Sequence, residues 1–406
     1  MHDLQSLNQY AKELRADLPG EVFLRNPARL LWLPFHLAVI FTAAGGLLLL
    51  DLSLAARIGL SLIIGHSYGV LGFLGHEILH GSIVKGNRLQ NWVGGLCLVP
   101  YLLGPVHWRT WHNKFHHCHT TATEDPDSFG NVRLHRAHPI LREILKFAPG
   151  SGYLRSYLFL SFWLSTQALW VLFAHSKQFN YWPPERRRRQ LQLFVGLVGF
   201  WLAVLVAAGP WQFLFLYILP MAVANTLQMA YISTNHLLSD ETEHVNDPLA
   251  NSLSVRVPWW MNWLHLNFSY HVEHHIFPAM SPRHAPRVQS AIQNRYGGRY
   301  RILPLWKALA TLYRTPRVHL DRSELVDMRT GDVYSTLGEN AALPQHIGQV
   351  PVPVRPRRRS DNVEEPTVNT ANGKKDDQQT ELPDHLIPFP TAGKDAAGSG
   401  RATSAA

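Results

Sequence analysis

Three clusters of histidine dominate the chemistry open to this sequence. They read His76-Glu77-Ile-Leu-His80, His112-Asn-Lys-Phe-His116-His117 and His271-Val-Glu273-His274-His275. Imidazole ligates metals well, and helix positions three or four apart share a face. His76 and His80 stand one turn apart, while His271, His274 and His275 fan over about 100° of one helix face. In the second cluster an α-helix puts His112 and His116 on one stripe and turns His117 about 100° away from His116. His119 returns to the His112 stripe, so α-helical geometry favours His119 over His117. His117 stays in the set if the helix ends there, because two metals need ligands on diverging directions. His236, in Ser233-Thr-Asn-His236 at the end of an apolar stretch, makes a ninth candidate.

Nine buried imidazoles would repel one another if protonated and leave ring nitrogens unpaired if neutral. Metal binding removes both problems. Nine ligands exceed what one ion holds, so two ions are expected. Imidazole suits iron, zinc, copper and nickel alike. Redox-inert zinc would not need such a site beside a membrane, whereas iron activating O2 would. His76-Glu77-Ile-Leu-His80 is also literally HExxH, the zinc-protease signature in which Glu is the general base. That reading leaves seven clustered histidines unexplained. A non-catalytic metal-binding membrane protein is a further alternative.

Four other polar residues could orient the imidazoles. Asn225 and Gln228 lie within an apolar helix, where polar groups usually face the protein interior; helix–helix hydrogen bonds are the plainer reading. Asp125 and Asp127 follow the second cluster and could hold its rings from behind, or form a simple acidic turn. The isolated histidines, His36, His66, His107 and His265 among them, read as structural.

The elements that carry these residues look membrane-embedded. The 406-residue chain is 46% hydrophobic and 17% charged, with a formal charge of +9, against about 25% charged in soluble domains. Its mean hydropathy is only −0.09, because polar catalytic and tail segments dilute the apolar ones. The basic residues form no nucleic-acid-binding motif. Cys97 and Cys118 cannot make a disulfide framework, and Cys118 reads as a packing residue rather than a ligand. Apolar stretches run at 30–50, 54–75, 153–174, 190–208 and 211–232, each near the ~20 residues that cross a hydrocarbon core. The shorter 90–104 reads as re-entrant or interfacial.

Basic loops decide the expected topology. Arg109, Lys114, Arg133 and Arg142 make the loop with the first two clusters cytoplasmic, and Arg186 to Arg189 do the same for 175–189. Two tight hairpins turning at Asp51 and Gly209-Pro210, with 153–174 in the membrane but not crossing, put all three clusters on one face. The expected fold is therefore an all-α membrane protein of four transmembrane helices in two hairpins, with a cytosolic histidine-rich di-metal domain and both termini cytoplasmic. Residues 1–29 show no cleavable signal and read as a surface segment, 30–325 as the membrane domain, and 340–406 as a disordered tail rich in Pro and Arg. The tail's Arg355-Pro-Arg357-Arg358-Arg359 run could meet anionic lipid.

The order HxxxH, HxxxHH, HxxHH, interleaved with membrane hairpins, resembles the membrane fatty acid desaturase family. The stretches Asn267-Phe-Ser-Tyr-His271-Val-Glu-His274-His275-Ile-Phe-Pro278 and Gly75-His76-Glu-Ile-Leu-His80-Gly81 are similar to boxes of its acyl-lipid members. The resemblance covers residues 30–315. It implies a di-iron centre held by His76, His80, His112, His116, His117, His271, His274 and His275, with His236 as the extra ligand. It also implies O2 as co-substrate and an acyl chain on a lipid, CoA or carrier protein. Electrons would come from a separate ferredoxin or cytochrome b5, since no cytochrome b5 domain is fused. The same scaffold is similar to lipid hydroxylases and carotenoid ketolases, so hydroxylation or ketolation is the runner-up to desaturation.

Overall fold

Helix α1 (Leu7–Asp17) begins where the Ser6 side chain accepts from the backbone N–H of Gln9, an N-cap that satisfies one orphan donor. Next come α2 (Trp32–Leu49) and α3 (Leu54–His80), joined by the short turn 50–53. Ser53 caps α3 by accepting from Ala56, and Gly81, at φ 83°, closes it in the left-handed region, as helices commonly end. The two helices run antiparallel, so His36 of α2 comes within 6.3 Å of His66 of α3 between ring centroids. The computed structural model describes residues 3–137 and 139–351, which belong to one unit. The Arg355–Arg359 run and the tail from 352 lie outside the described residues.

Beyond α4 (Asn87–Leu98), the short α5 (Pro105–Arg109) runs on into a π-helical segment, Thr110–His116. Then follow α6 (Phe159–Trp170), α7 (Pro184–Phe213) and α8 (Leu219–His236). Gly209, at φ 80° and ψ 161°, breaks α7 just before Pro210. The chain doubles back there: Trp201 stacks on Tyr217 at 4.1 Å, whereas sixteen residues of continuous helix would separate them by about 24 Å. The two turns sit together, because Arg57 Nη1 donates to Gln212 Oε1 at 2.9 Å. Among the described residues, four helical stretches are long and apolar enough to cross a membrane: Gly20–Leu49, Leu54–His80, Leu154–Gln178 and Pro184–His236, the last containing the reversal. Segment 154–178 is thus as able to span as the others, so its expected non-crossing path does not follow from its length.

Close contact between α3 and α8 sets the frame. A side chain at Gly72 would put its Cβ 1.6 Å from Gln228 Nε2, and one at Gly69 would meet Leu227 at 2.6 Å. Small residues let membrane helices approach this closely. On the other flank Asn225 ties α8 to α6, accepting from the Ser165 N–H at 3.0 Å and donating to Ser165 Oγ at 3.0 Å.

The chain is not all helical. After α8 come α9 (His271–Ile276), α10 (Ala285–Tyr296) and α11 (Leu305–Arg314), interleaved with strands. Strands β1 (Ser254–Arg256) and β2 (Ile302–Pro304) pair in parallel. Strands β3 (Val318–Asp321), β4 (Glu324–Val326), β5 (Asp332–Ser335) and β6 (His346–Gln349) form an antiparallel meander. Strands of three or four residues are too short for a period-two pattern to stand out. β6 lies beyond residue 340, inside the stretch expected to lack structure. A second departure concerns the N-terminus: Tyr10 and Leu14 of α1 pack with Val272 and Ile276 of α9 and Val288 and Ile292 of α10 in one apolar cluster. The N-terminal segment is therefore a wall of the third histidine cluster.

Overpacking a close helix contact costs about 1–3 kcal/mol or more. Gly72→Leu should accordingly lower the thermal midpoint of the detergent-purified protein by several degrees, while Gly196→Leu, where a Cβ meets nothing within 4 Å, should leave it unchanged.

Candidate metal centre

The nine expected histidines converge from four elements. His76 and His80 occupy the last turns of α3, His236 ends α8, and α9 carries His271, His274 and His275. The second cluster depends on the π-helical segment. His117 N–H bonds back to His112 carbonyl at 2.9 Å, five residues earlier. A π-turn brings residues i and i+5 onto one face, and such turns gather at functional sites. His117 Nε2 consequently lies 3.1 Å from His112 Nε2. The helix ends there, and His119 is exposed. α-Helical periodicity favours His119; the wider turn brings in His117 instead. Cys118 is exposed too, outside both the core and the centre.

Among the described residues, imidazole ligand atoms sort into two groups, His76, His80, His112, His117 and His274 in one, and His116, His236, His271 and His275 in the other; a third, overlapping set joins His112 and His116 to Asp127. Within the first, His112 Nε2 is 3.0 Å from His76 Nε2, and His117 Nε2 is 3.1 Å from His274 Nε2. Within the second, His271 Nε2 is 2.6 Å from His236 Nε2 and 3.1 Å from His275 Nε2. A ring nitrogen carries one proton or one lone pair. Hydrogen bonding therefore cannot account for His112, His117 and His271, each of which faces two other Nε2 atoms. A shared cation can: nitrogens bound to one ion at about 2.0–2.1 Å stand roughly 3 Å apart. His80 Nε2 is also buried without a hydrogen-bond partner. The donor set fits two ions.

Burial pushes His112, His117, His271, His274 and His275 well below the usual imidazole range, and neighbouring rings push further. Neutral imidazole is the form metals require. His116 is the exception. Burial opposes its charge, but Asp125 and then Asp127 outweigh that and raise it to about 9. Its Nδ1 lies 3.0 Å from Asp125 Oδ1, which leaves Nε2 for a metal and makes the ring a stronger donor. Asp127 accepts from Trp111 Nε1 at 2.7 Å and Gln167 Nε2 at 2.8 Å. Asp125 and Asp127 are thus more than an acidic turn.

Among the described residues Asn225 and Gln228 hydrogen-bond to other helices rather than to the imidazoles, although Gln228 lines the cavity beside them. Asn225 serves Ser165, and Gln228 Nε2 donates to Gly69 carbonyl at 3.0 Å. They sit at α8's interfaces with α6 and α3, as the helix–helix reading has it. Glu77 is not placed as a protease base: Arg29 pairs with its Oε1 and also donates to Leu266 carbonyl at 2.8 Å. One residue after His76 on a helix, it points about 100° away.

Other orienting groups carry no sequence signal. His236 Nδ1 meets Asn251 carbonyl at 3.2 Å, and Asn246 Nδ2 donates to His117 carbonyl at 2.6 Å. Ser254 Oγ accepts from the His271 N–H at 3.0 Å. All three come from the stretch 246–254, which holds no histidine and does not stand out in the sequence.

A cavity of about 60 Å3 touches both groups, lined by His76, His112, His116, His236 and His271 together with Phe73, Leu103 and Phe268. Gln167 lines it and also lines a mainly apolar cleft of about 750 Å3 that includes Phe129, Leu134, Ile144, Phe147 and Trp163.

Removing a carboxylate that orients a metal-bound histidine typically costs 10–100-fold in affinity. Asp125→Asn should weaken metal binding by about that factor in an anaerobic titration with Fe(II). His117→Ala should lower the metal bound in that titration, whereas His119→Ala should match the wild type.

The sequence profile of the family described as fatty acid desaturase matches residues 52–304. An acyl-lipid (9-3)-desaturase of Borago officinalis is 25% identical over 245 residues, covering 52% of this chain and 51% of that protein. The chloroplastic omega-6 fatty acid desaturase of Spinacia oleracea is 21% identical over 272 residues, covering 62% and 57%. An sn-1 acyl-lipid omega-3 desaturase (ferredoxin) of Synechocystis sp. is 27% identical over 290 residues, covering 62% and 72%. The match thus spans little more than half the length of the first two relatives. The profile covers most of the chain and includes all nine converging histidines: the chain belongs to the fatty acid desaturase family.

Proposed function

We propose that this chain is a membrane oxidoreductase that introduces a double bond into a lipid-bound acyl chain, using two iron ions and O2. One observation carries the reading: nine imidazoles, five in one group and four in the other, under a cavity with apolar walls. The relatives named as acyl-lipid desaturases favour an acyl lipid over acyl-CoA or acyl-carrier protein. The ferredoxin in the name of the Synechocystis relative favours a ferredoxin-type donor over cytochrome b5.

His76, His80, His112, His117 and His274 would hold one ion, and His116, His236, His271 and His275 the other. Bound there, iron supplies O2 activation: two hydrogens leave adjacent methylenes, and with two donor electrons and two protons O2 ends as two waters. The chain's own residues do the rest. Phe73, Leu103 and Phe268 keep water from the reacting carbons, which strengthens electrostatics near the centre. Asp125 fixes the His116 ring. A 60 Å3 space holds only a short piece of an acyl chain, so the remainder of the substrate needs adjoining room. The 750 Å3 cleft beyond Gln167 has a suitable size and lining.

In the membrane we propose two hairpins, α2 with α3 and the two arms around Gly209, giving four crossings. Segment 154–178 would lie along the membrane, and the histidine clusters and both termini would face the cytoplasm. That His80 and His236 end α3 and α8 and meet in one centre supports this arrangement, as does the basic run Arg186–Arg189 in the first turns of α7.

Cells expressing the wild type should gain an unsaturated acyl species by gas-chromatography mass spectrometry that is absent with His275→Ala. A hydroxy or keto lipid would make the same centre a hydroxylase or ketolase, and a purified protein that takes up no iron would end the reading. A reporter fused near residue 180 should read cytoplasmic; an opposite reading would mean that 154–178 crosses the membrane.

A further inference from the structure

The third histidine cluster rides on a carrier only six residues long, α9. A helix of that length does not hold itself, and its first four N–H groups have no partner within it. It must nevertheless aim three rings, His274 into the five-imidazole group and His271 and His275 into the four-imidazole group. Something outside the helix has to fix it.

Glu273 stands at the middle of that fixture. Ser254 Oγ accepts from the N–H groups of His271 and Val272, both at 3.0 Å, and donates to Glu273 Oε2 at 2.7 Å. The other carboxylate oxygen accepts from the Tyr300 hydroxyl at 2.5 Å, and that hydroxyl accepts from Gln289 Nε2 at 2.8 Å. The side chain thereby ties α9 to β1 through Ser254, to the turn just ahead of β2 through Tyr300 and to α10 through Gln289. Glu273 is 0% exposed, and a carboxylate is costly to bury unless its oxygens are paired. Among the described residues it belongs to neither group of ligand atoms.

We infer that Glu273 is a positioning residue which, with Ser254 and Tyr300, sets the rotation of α9 and so aims three of the nine imidazoles. This rests on the metal centre proposed above. The consequence is unequal for the two ions. Helix α9 gives two rings of four to one group but one of five to the other, so loosening it empties the four-imidazole group first.

The test uses the purified full chain, loaded anaerobically with 57Fe(II) and challenged with a ferrous chelator, with retained iron counted and followed by Mössbauer spectroscopy. Wild type should keep two ions. Glu273→Leu should release one of them at least about tenfold faster, the scale on which orienting partners act, and keep the other. Glu273→Gln can still bridge Ser254 and Tyr300 and should behave close to wild type. Tyr300→Phe, which deletes one hydroxyl, should shift release in the direction of the Leu variant and carries the test if that variant does not fold. Folded Leu and Phe variants that release iron at the wild-type rate, or lose both ions together, would overturn the inference. So would a Gln variant as leaky as the Leu variant. A wild type that binds no iron would instead bring down the metal centre itself.

Discussion

Everything here depends on a crowd of imidazoles packed ring against ring. Most of the rings are buried, His80 and His112 partly so, and each is beside others, so charge on one penalises charge on the next. Neutral rings need partners for their nitrogens, and the Nε2 atoms point at one another rather than at donors. Only cations satisfy that arrangement. The surrounding protein keeps those atoms converging, and without bound cations the arrangement would be a cluster of unsatisfied polar groups at the end of a membrane helix pair.

Rigidity of the frame follows from this. The glycines of α3 bring α8 close enough that His236 arrives beside the second cluster. Arg29 bridges Glu77 and Leu266, linking the first cluster to the approach of the third. The stretch 246–254 contributes a carbonyl to His236, an amide to the second cluster and a hydroxyl to the third. These groups lie away from the cavity and act by orientation.

Much of this was legible in the sequence, and the reasons differ by residue. The histidine spacing reveals which residues converge, since i, i+3 and i+4 patterns report shared faces. Gly209-Pro210 marks a reversal because glycine alone accepts that φ readily. Helical spacing alone did not favour His117 over His119, because a π-turn has no compositional mark; the family resemblance pointed to His117. Asn225 and Gln228 show the limit of polarity as a clue: a polar group in an apolar helix signals a protein-facing position, not which neighbour it meets. Strands of three or four residues fall below any periodicity.

The seating of α1 against α9 has a consequence for how the protein is made. Tyr10 and Leu14 leave the ribosome about 260 residues before Val272 and Ile276, the side chains that cover them. Through most of synthesis the N-terminal helix is an apolar face without its partner, and the first two clusters wait for the rings that complete them. The centre can therefore close only once α9 has emerged, when an early and a much later part of the chain meet. A bulky fusion ahead of α1 would act at that closing step, far in sequence from any histidine it disturbs.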